Sequence, residues 1–135
     1  MKTAKQIQGD IINLLKGSDL EKAISGKVYR NGLRPTNSTK EDIIVTHTAG
    51  IGEQLQSGVI TLNIFVEDVT MNKQKVENGK RTAELELLAL NWFQGIEQSS
   101  DTYYFELKET IKTTKDNSRS QHFVVIKLNY EFLNI

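Results

Sequence analysis

A two-residue alternation of apolar and polar side chains recurs along the chain and constrains the fold more than any other feature. In residues 59–66 every even position carries a branched aliphatic side chain. Residues 103–112 and 124–132 continue the alternation over lengths greater than the usual strand of about five or six residues. Because a period of two is typical of a strand with one face on a core, all three segments are predicted to be strands.

The last two of these strands are predicted to form a long β-hairpin. The sequence KTTKDNSRS, residues 112–120, lies between them, and its Asp116, Asn117 and Ser118 suit a turn. Strands of this length would carry the tip beyond a compact domain, where projecting hairpins commonly contact a neighbouring molecule. A solvated hairpin without such a contact is the alternative.

Two segments have the spacing of three and four residues that is typical of an amphipathic helix. The first is predicted over residues 3–16, before Gly17, and the second over residues 80–98. Their apolar stripes are Ala4, Ile7, Ile11, Leu14 and Leu15, and Leu85, Leu88, Ala89, Trp92 and Ile96. Residues 18–26 are expected to add a short turn of helix. The second stripe is expected to lie flat on the sheet.

The remaining segments complete the predicted fold. Short apolar runs at residues 27–30 and 43–48 predict two more strands, and the polar residues 70–79 are predicted to form a loop. The order α-β-β-β-α-β-β predicts an α+β fold, in which two helices cover one face of a mostly antiparallel sheet of about five strands. The sequence has no linker or low-complexity tract, so residues 1–135 are predicted to form a single domain.

Charge and cysteine content exclude several classes of function. Lys and Arg number 17, as do Asp and Glu, so the excess of basic residues that nucleic-acid binding usually needs is missing. Without cysteine there are no disulfides, thiolate nucleophiles or cysteine metal sites. No stretch has the roughly 18–20 apolar residues needed to span a bilayer, and the N-terminus lacks the apolar run of a signal peptide. We therefore expect a soluble intracellular protein.

Residue types that carry catalysis do not form a recognisable motif. His47 and His122 are not part of an HExxH motif and have no second ligand at helical spacing, so a structural or surface role is expected for both. Glu84 and Glu86 are two apart on a helix and point to different faces. The fragment at residues 50–52 lacks the rest of a phosphate-binding loop. We expect no catalytic, cofactor or metal site, and no enzyme.

The segment KVYRNGLRPTNSTKEDIIV, residues 27–45, contains the only proline of the chain. Pro35 cannot donate to a β-ladder, so it belongs at an edge or in a loop. This connection is longer and more polar than a tight turn needs, which makes it a candidate contact with a neighbouring molecule. Residues 1–42 hold eight Lys and Arg against five Asp and Glu, and residues 43–100 hold four against seven. Regions of opposite charge suit head-to-tail self-association.

The order of elements resembles that of the small tail-completion, or tail terminator, proteins of long-tailed phages and prophages. The resemblance is carried by the first helix with residues 28–35, by residues 60–68, and by helix residues 82–88 followed by the closing hairpin. It covers nearly the whole chain as a pattern of elements, and this family has no invariant catalytic signature.

The resemblance implies a structural role. Subunits would assemble as a ring, a hexamer, on the last ring of the tail tube, stop its polymerisation, and offer a surface to a head-completion protein. The ring would form in the host cytoplasm and then belong to the virion tail, with DNA passing through its lumen. Partners would thus be further copies of the chain, the tube protein and the head-completion protein, with no cofactor, membrane or sequence-specific nucleic acid.

The same resemblance suggests which residues make contacts. Arg30 and Arg34 are predicted to pair with acidic residues of a neighbouring subunit, such as Glu67, Asp68 or Glu77. The full set of predicted subunit or tube contacts is Arg30, Asn31, Arg34, Pro35, Glu67, Asp68, Lys112, Lys115 and Arg119.

Three alternatives remain at this stage. A head–tail connector or other neck protein would also assemble as a ring, but its chain would be richer in helix. A stand-alone α+β module that binds a small ligand or a protein would stay monomeric and contain a deep apolar pocket. A small enzyme would need a polar site clustered around His47 or His122.

Overall fold

A six-stranded mixed sheet forms the centre of the structure, a computed structural model that describes residues 1–52 and 54–133. In chain order the elements are α1 (Ala4–Leu15), α2 (Asp19–Ala23), β1 (Val28–Arg30), β2 (Ile43–Ile51), β3 (Leu55–Glu67), β4 (Val69–Met71), β5 (Gln74–Val76), α3 (Gly79–Ser99), β6 (Tyr104–Leu107), β7 (Lys112–Asp116) and β8 (Gln121–Leu133). The order across the sheet is β1-β2-β3-β8-β6, and β7 pairs with β8 beside β6. Only β1 runs parallel to its neighbour.

The predicted α+β class and the C-terminal hairpin are confirmed, but the number of strands is too low. The main sheet has six strands rather than about five. Besides the two predicted long helices, the described residues contain α2, which is the short turn of helix expected within residues 18–26. Ser18 caps its first turn by accepting a hydrogen bond from the Glu21 N–H. None of the helices in the part of the chain described here has the length and apolarity to cross a bilayer.

The two longer helices begin at side chains that cap their free N–H groups. Thr3 and Gln6 form a capping box at the start of α1, and Asn78 accepts from the Arg81 N–H at the start of α3. Gly17, with φ of 74°, follows α1 in the left-handed region that glycine enters at little cost. The Trp92 indole N–H donates to the Leu14 carbonyl oxygen over 3.1 Å, which joins α3 to α1.

The core lies between the helices and one face of the sheet. Its centre is the pairing of β3 with β8, where Leu62 faces Ile126 and Ile60 faces Leu128, all fully buried. The alternate residues of these strands point to the opposite face, where most of them, including Asn63, stay half-buried, although Phe65 and Val125 are buried there. The alternation seen in the sequence therefore marks which face of each strand the helices cover.

The prediction of a loop over residues 70–79 is wrong. β4 and β5 form a separate two-stranded hairpin, with Val69 opposite Val76 and Met71 opposite Gln74. Its turn residues Asn72 and Lys73 both have positive φ, as a type I′ turn requires. The usual glycine at the second of these positions is a lysine, so the sequence lacks the familiar signal.

The prediction of one long strand over residues 103–112 is wrong as well. It is split into β6 and β7, because residues 108–111 oppose only Ile126 and Lys127 of β8 and form a bulge. The polar tip predicted over residues 112–120 is too long, since β7 takes its first part and only residues 117–120 make the turn. Threonine and lysine side chains are compatible with an edge strand, so polarity alone does not distinguish strand from turn here.

Candidate functional site

The predicted contact residue Arg34 is engaged within its own chain. Its Nε donates to Asp42 Oδ2 over 2.9 Å, and the two side chains are only 7% and 2% exposed. The guanidinium carbon lies 4.0 Å from the centroid of the Phe65 ring, on the sheet face opposite the helices. This cation–π contact and ion pair fasten the loop between β1 and β2 to the sheet.

Asp42 is the centre of this attachment. Burial raises its pKa, but hydrogen bonds from the Ser38 hydroxyl, the Arg34 guanidinium and the Lys27 N–H outweigh burial, so the pKa lies below its ordinary value. Gly26 lies so close that an added Cβ would be 2.0 Å from Asp42 Oδ1. A carboxylate with so many donors stays ionised and holds the backbone in place, which is a structural task.

The tip of the closing hairpin packs against the same loop. Arg119 donates to the carbonyl oxygens of Thr36 and Ser38 over 3.0 and 2.6 Å, and it lies 3.9 Å from Glu67. Asp116 stabilises the turn by accepting from the Ser118 N–H and hydroxyl. The structure therefore brings together Arg34, Glu67 and Arg119, whose sequence positions are far apart, but it pairs their charges within one molecule.

The other predicted contact residues are spread over the surface. Asn31, Pro35, Lys112 and Lys115 are exposed, and Lys112 lies 3.8 Å from Glu109. Arg30 packs against α1, where a Cβ on Gly9 would be 3.1 Å from its Nη2, and its buried Nε has no hydrogen-bond partner among the described residues. Whether any of these residues contacts a neighbour stays a prediction.

Both histidines have partners within the chain. His47 Nε2 lies 2.8 Å from the Tyr130 hydroxyl, and burial lowers the pKa of this imidazole. His122 Nδ1 lies 2.6 Å from Asp68 Oδ1, and its Nε2 is 3.8 Å from Glu77. Across the described ranges, 1–52 and 54–133, no cluster of His, Asp and Glu is arranged to hold a metal ion.

The hairpin of β4 and β5, which we call the arm (residues 69–76), exposes two large apolar side chains. Just before the arm, Asp68 Oδ1 lies 2.6 Å from His122 Nδ1, and just after it Glu77 accepts a hydrogen bond from the Thr82 hydroxyl over 2.6 Å, so both ends are held to the body. Met71 is 59% exposed and Val69 is 38% exposed. A lone two-stranded hairpin is marginally stable in water. Exposed apolar side chains on such a hairpin therefore suit packing of the arm against another molecule.

A second exposed apolar surface lies on the outer side of α3. Ala83, Leu87 and Leu90 follow the spacing i, i+4, i+7 and face Leu107 and Ile111 near the bulge between β6 and β7. They line an open groove of about 430 Å³, which we call the outer groove. Leu87 is 59% exposed although its neighbour Leu85 is fully buried.

The sequence predicted neither the arm nor the outer groove as a site. The stripe at residues 83, 87 and 90 has the same helical spacing as the buried stripe, so it was available as a signal. A helix with two apolar stripes has more apolar surface than one sheet can cover. The arm gave no such signal, because its turn is Asn-Lys rather than Asn-Gly.

Two comparisons of the sequence, with protein families and with curated proteins, give no relative from which a function could be transferred. No protein-family model matches this sequence. No curated protein matches it significantly either. The function must therefore be argued from the chain's own surfaces.

Proposed function

We propose that this chain is a structural subunit of a phage or prophage tail that assembles as a ring on the end of the tail tube. In this role it stops tube polymerisation and offers its free side to a head-completion protein. It would assemble in the host cytoplasm and remain in the virion tail. The element order that resembles tail-completion proteins suggests this particular assembly.

The arm is the observation that carries the proposal. It forms a sheet of its own, exposes Val69 and Met71, and is held to the body at its two ends through Asp68 and Glu77. Exposed apolar side chains that lie together on one side of an element are typical of a surface that contacts another subunit. The described residues offer no comparable arrangement of titratable groups that would favour catalysis.

Ring closure explains how such a subunit ends a tube. A contact between two different surfaces of the same chain is heterologous, and it closes as a ring when the rotation between neighbours divides a full turn. A closed ring has no unpaired subunit–subunit contact. The tube contact then lies on one side of the ring and the head contact on the other, and the tube stops growing because the free side does not bind the tube protein.

The predicted contact set loses two residues. Arg34 and Asp68 are left out because their side chains are buried against Asp42 and His122, and breaking either pair would cost more than a surface contact returns. Asn31, Pro35, Lys112 and Lys115 are exposed and stay in the set as candidate tube or head contacts.

Native mass spectrometry over a concentration series tests the proposal. We expect one discrete oligomer, a hexamer by the resemblance, in equilibrium with the monomer. Open-ended polymers, or a monomer at every concentration, would overturn ring formation by the chain itself. The variant Val69→Ser/Met71→Ser should shift the same equilibrium toward the monomer, because it removes the apolar surface of the arm without touching the core.

A stand-alone protein-binding module is the second candidate, and the outer groove favours it. Its apolar lining and open shape suit a segment of another protein rather than a deeply enclosed small molecule. This candidate predicts a strict monomer whose groove remains open in solution. The mass measurement therefore separates the two functions.

A further inference from the structure

We infer that the arm of one copy docks into the outer groove of a second copy of this chain. The inference rests on the proposed self-assembly and names the two surfaces that meet. Each surface alone is exposed and apolar, and the two lie on different elements, so their pairing is heterologous.

The arm presents its apolar residues on one side only. Cross-strand partners share a face, so Val69, Val76, Met71 and Gln74 lie together, and Thr70 and Lys75 lie on the other side. One side of the arm can therefore enter an apolar groove while the other stays in water.

The outer groove, like one side of the arm, is mainly apolar. Its apolar lining comes from Ala83, Leu87, Leu90, Leu107 and Ile111, and Thr110 and Glu86 complete it. Glu86 is the only charged residue of this lining, and it accepts a hydrogen bond from the Thr113 hydroxyl over 2.6 Å.

Charge favours this pairing of surfaces. The arm carries Lys73 and Lys75 and no acidic residue, and the groove lining carries Glu86 and no basic residue. The nearby Arg81 is paired with Glu41 and Glu84. Lys75 lies on the side of the arm that stays in water, so Lys73, in the turn of the arm, is the lysine that faces Glu86 when the apolar side enters the groove. Opposite charges at this point orient the two partners.

The contact forms between copies, because the arm does not enter its own groove. The arm leads directly into α3, and its base is fixed by His122 and by the hydrogen bond from Thr82 to Glu77. With this base in place, Met71 and Leu87 of the same chain both stay exposed. A second copy can therefore cover the apolar side chains that the first copy leaves exposed.

Cross-linking between single-cysteine variants tests the contact, since the chain has no cysteine of its own. The variants Met71→Cys and Leu87→Cys are mixed and treated with a short bis-maleimide at the concentration where the native chain assembles. We expect a covalent dimer from the mixture and little from either variant alone. A mixture of Met71→Cys with Leu33→Cys is the matched control, because Leu33 is also exposed but lies in the loop after β1.

The outcomes separate the inference from the proposed function. Selective linkage of Met71→Cys to Leu87→Cys supports the inference, and the double variant should then give a ladder that stops at the ring size. Equal linkage to Leu33→Cys, or no linkage while the native chain forms a ring, overturns the inference and leaves ring assembly to other surfaces. No linkage together with a strictly monomeric native chain overturns both. Selective linkage in an oligomer that never closes supports the contact and overturns the ring.

Discussion

Helix α3 has two apolar stripes, one of which is buried against the sheet while the other is exposed. Leu85, Ala89 and Trp92 are buried against the sheet, whereas Leu87, two residues after Leu85, is 59% exposed in the outer groove. The residue types are the same, so composition does not distinguish them. What differs is whether this chain itself covers the stripe, and the uncovered one marks surface that is available to another molecule.

Charged pairs show the same contrast. Asp42 and Arg34 are almost completely buried and hold a loop to the sheet. Glu84 and Arg81 form a similar ion pair in which the glutamate is nearly half exposed. Because burial decides how much a charge depends on its partner, two pairs with similar distances, 2.9 and 3.0 Å here, can differ widely in their effect on the free energy of unfolding.

The largest expected effect compares the same substitution in the two stripes. Leu85→Ala should lower the free energy of unfolding by about 2–5 kcal/mol, because it leaves a cavity in the core. Leu87→Ala should change it by less than about 0.5 kcal/mol. Urea denaturation of both variants, at a concentration where the chain is monomeric, measures the difference. Equal losses would mean that Leu87 belongs to the core and that the outer groove is closed in solution.

The next effect compares the two ion pairs. Asp42→Asn keeps the shape of the side chain but removes the charge that faces Arg34, and it should lower the free energy of unfolding by about 2–3 kcal/mol. Glu84→Gln removes a charge from the exposed pair and should cost less than about 0.5 kcal/mol. Denaturation at neutral pH compares them. A small effect at Asp42 would show that water reaches this pair and that the loop is held by other contacts.

Much of the fold follows from the sequence because its strongest signals are local. The alternation in β3 and β8 and the stripe of α1 predict strand, helix and buried face correctly, since each element packs on a single core. The failures occur where a neighbour decides the outcome. β6 and β7 are separated by a bulge that depends on the register with β8, and no feature within residues 103–112 specifies it.

The candidate site was harder to predict for a related reason. Arg34 was expected to meet another subunit, but its partner Asp42 lies at the other end of the same loop and is brought back by the turn. A charge in a polar loop looks the same in sequence whether its partner is internal or external. The second apolar stripe of α3 can be read from the sequence, but only the structure shows that this stripe, rather than the other, is left exposed.

A smaller effect is expected from pH. Burial lowers the pKa of His47, so the folded state binds a proton less readily than the unfolded state, whose histidine has a pKa of about 6.5. Stability from this group is complete above that value and is lost as the pH falls through it toward the folded pKa. His47→Gln, which can still bond to the Tyr130 hydroxyl, should therefore lose less stability than the native chain between pH 7 and pH 5. Parallel losses in urea denaturation would show that His47 does not contribute to the acid sensitivity.

The smallest effect on the isolated chain, and the sharpest test of the contrast, is expected in the arm. Met71→Ser should change the free energy of unfolding by less than about 0.5 kcal/mol, because the side chain is 59% exposed and does not belong to the hydrophobic core. The same variant should shift the oligomer toward monomer in a sedimentation series, since it replaces an apolar side chain on the face that we assign to the contact. Thr70→Ser, on the opposite face of the arm, is the matched control and should assemble like the native chain. If Met71→Ser unfolds more easily but assembles normally, the arm belongs with the buried stripe of α3 as a support of the fold, and the uncovered apolar surface would be reduced to the outer groove.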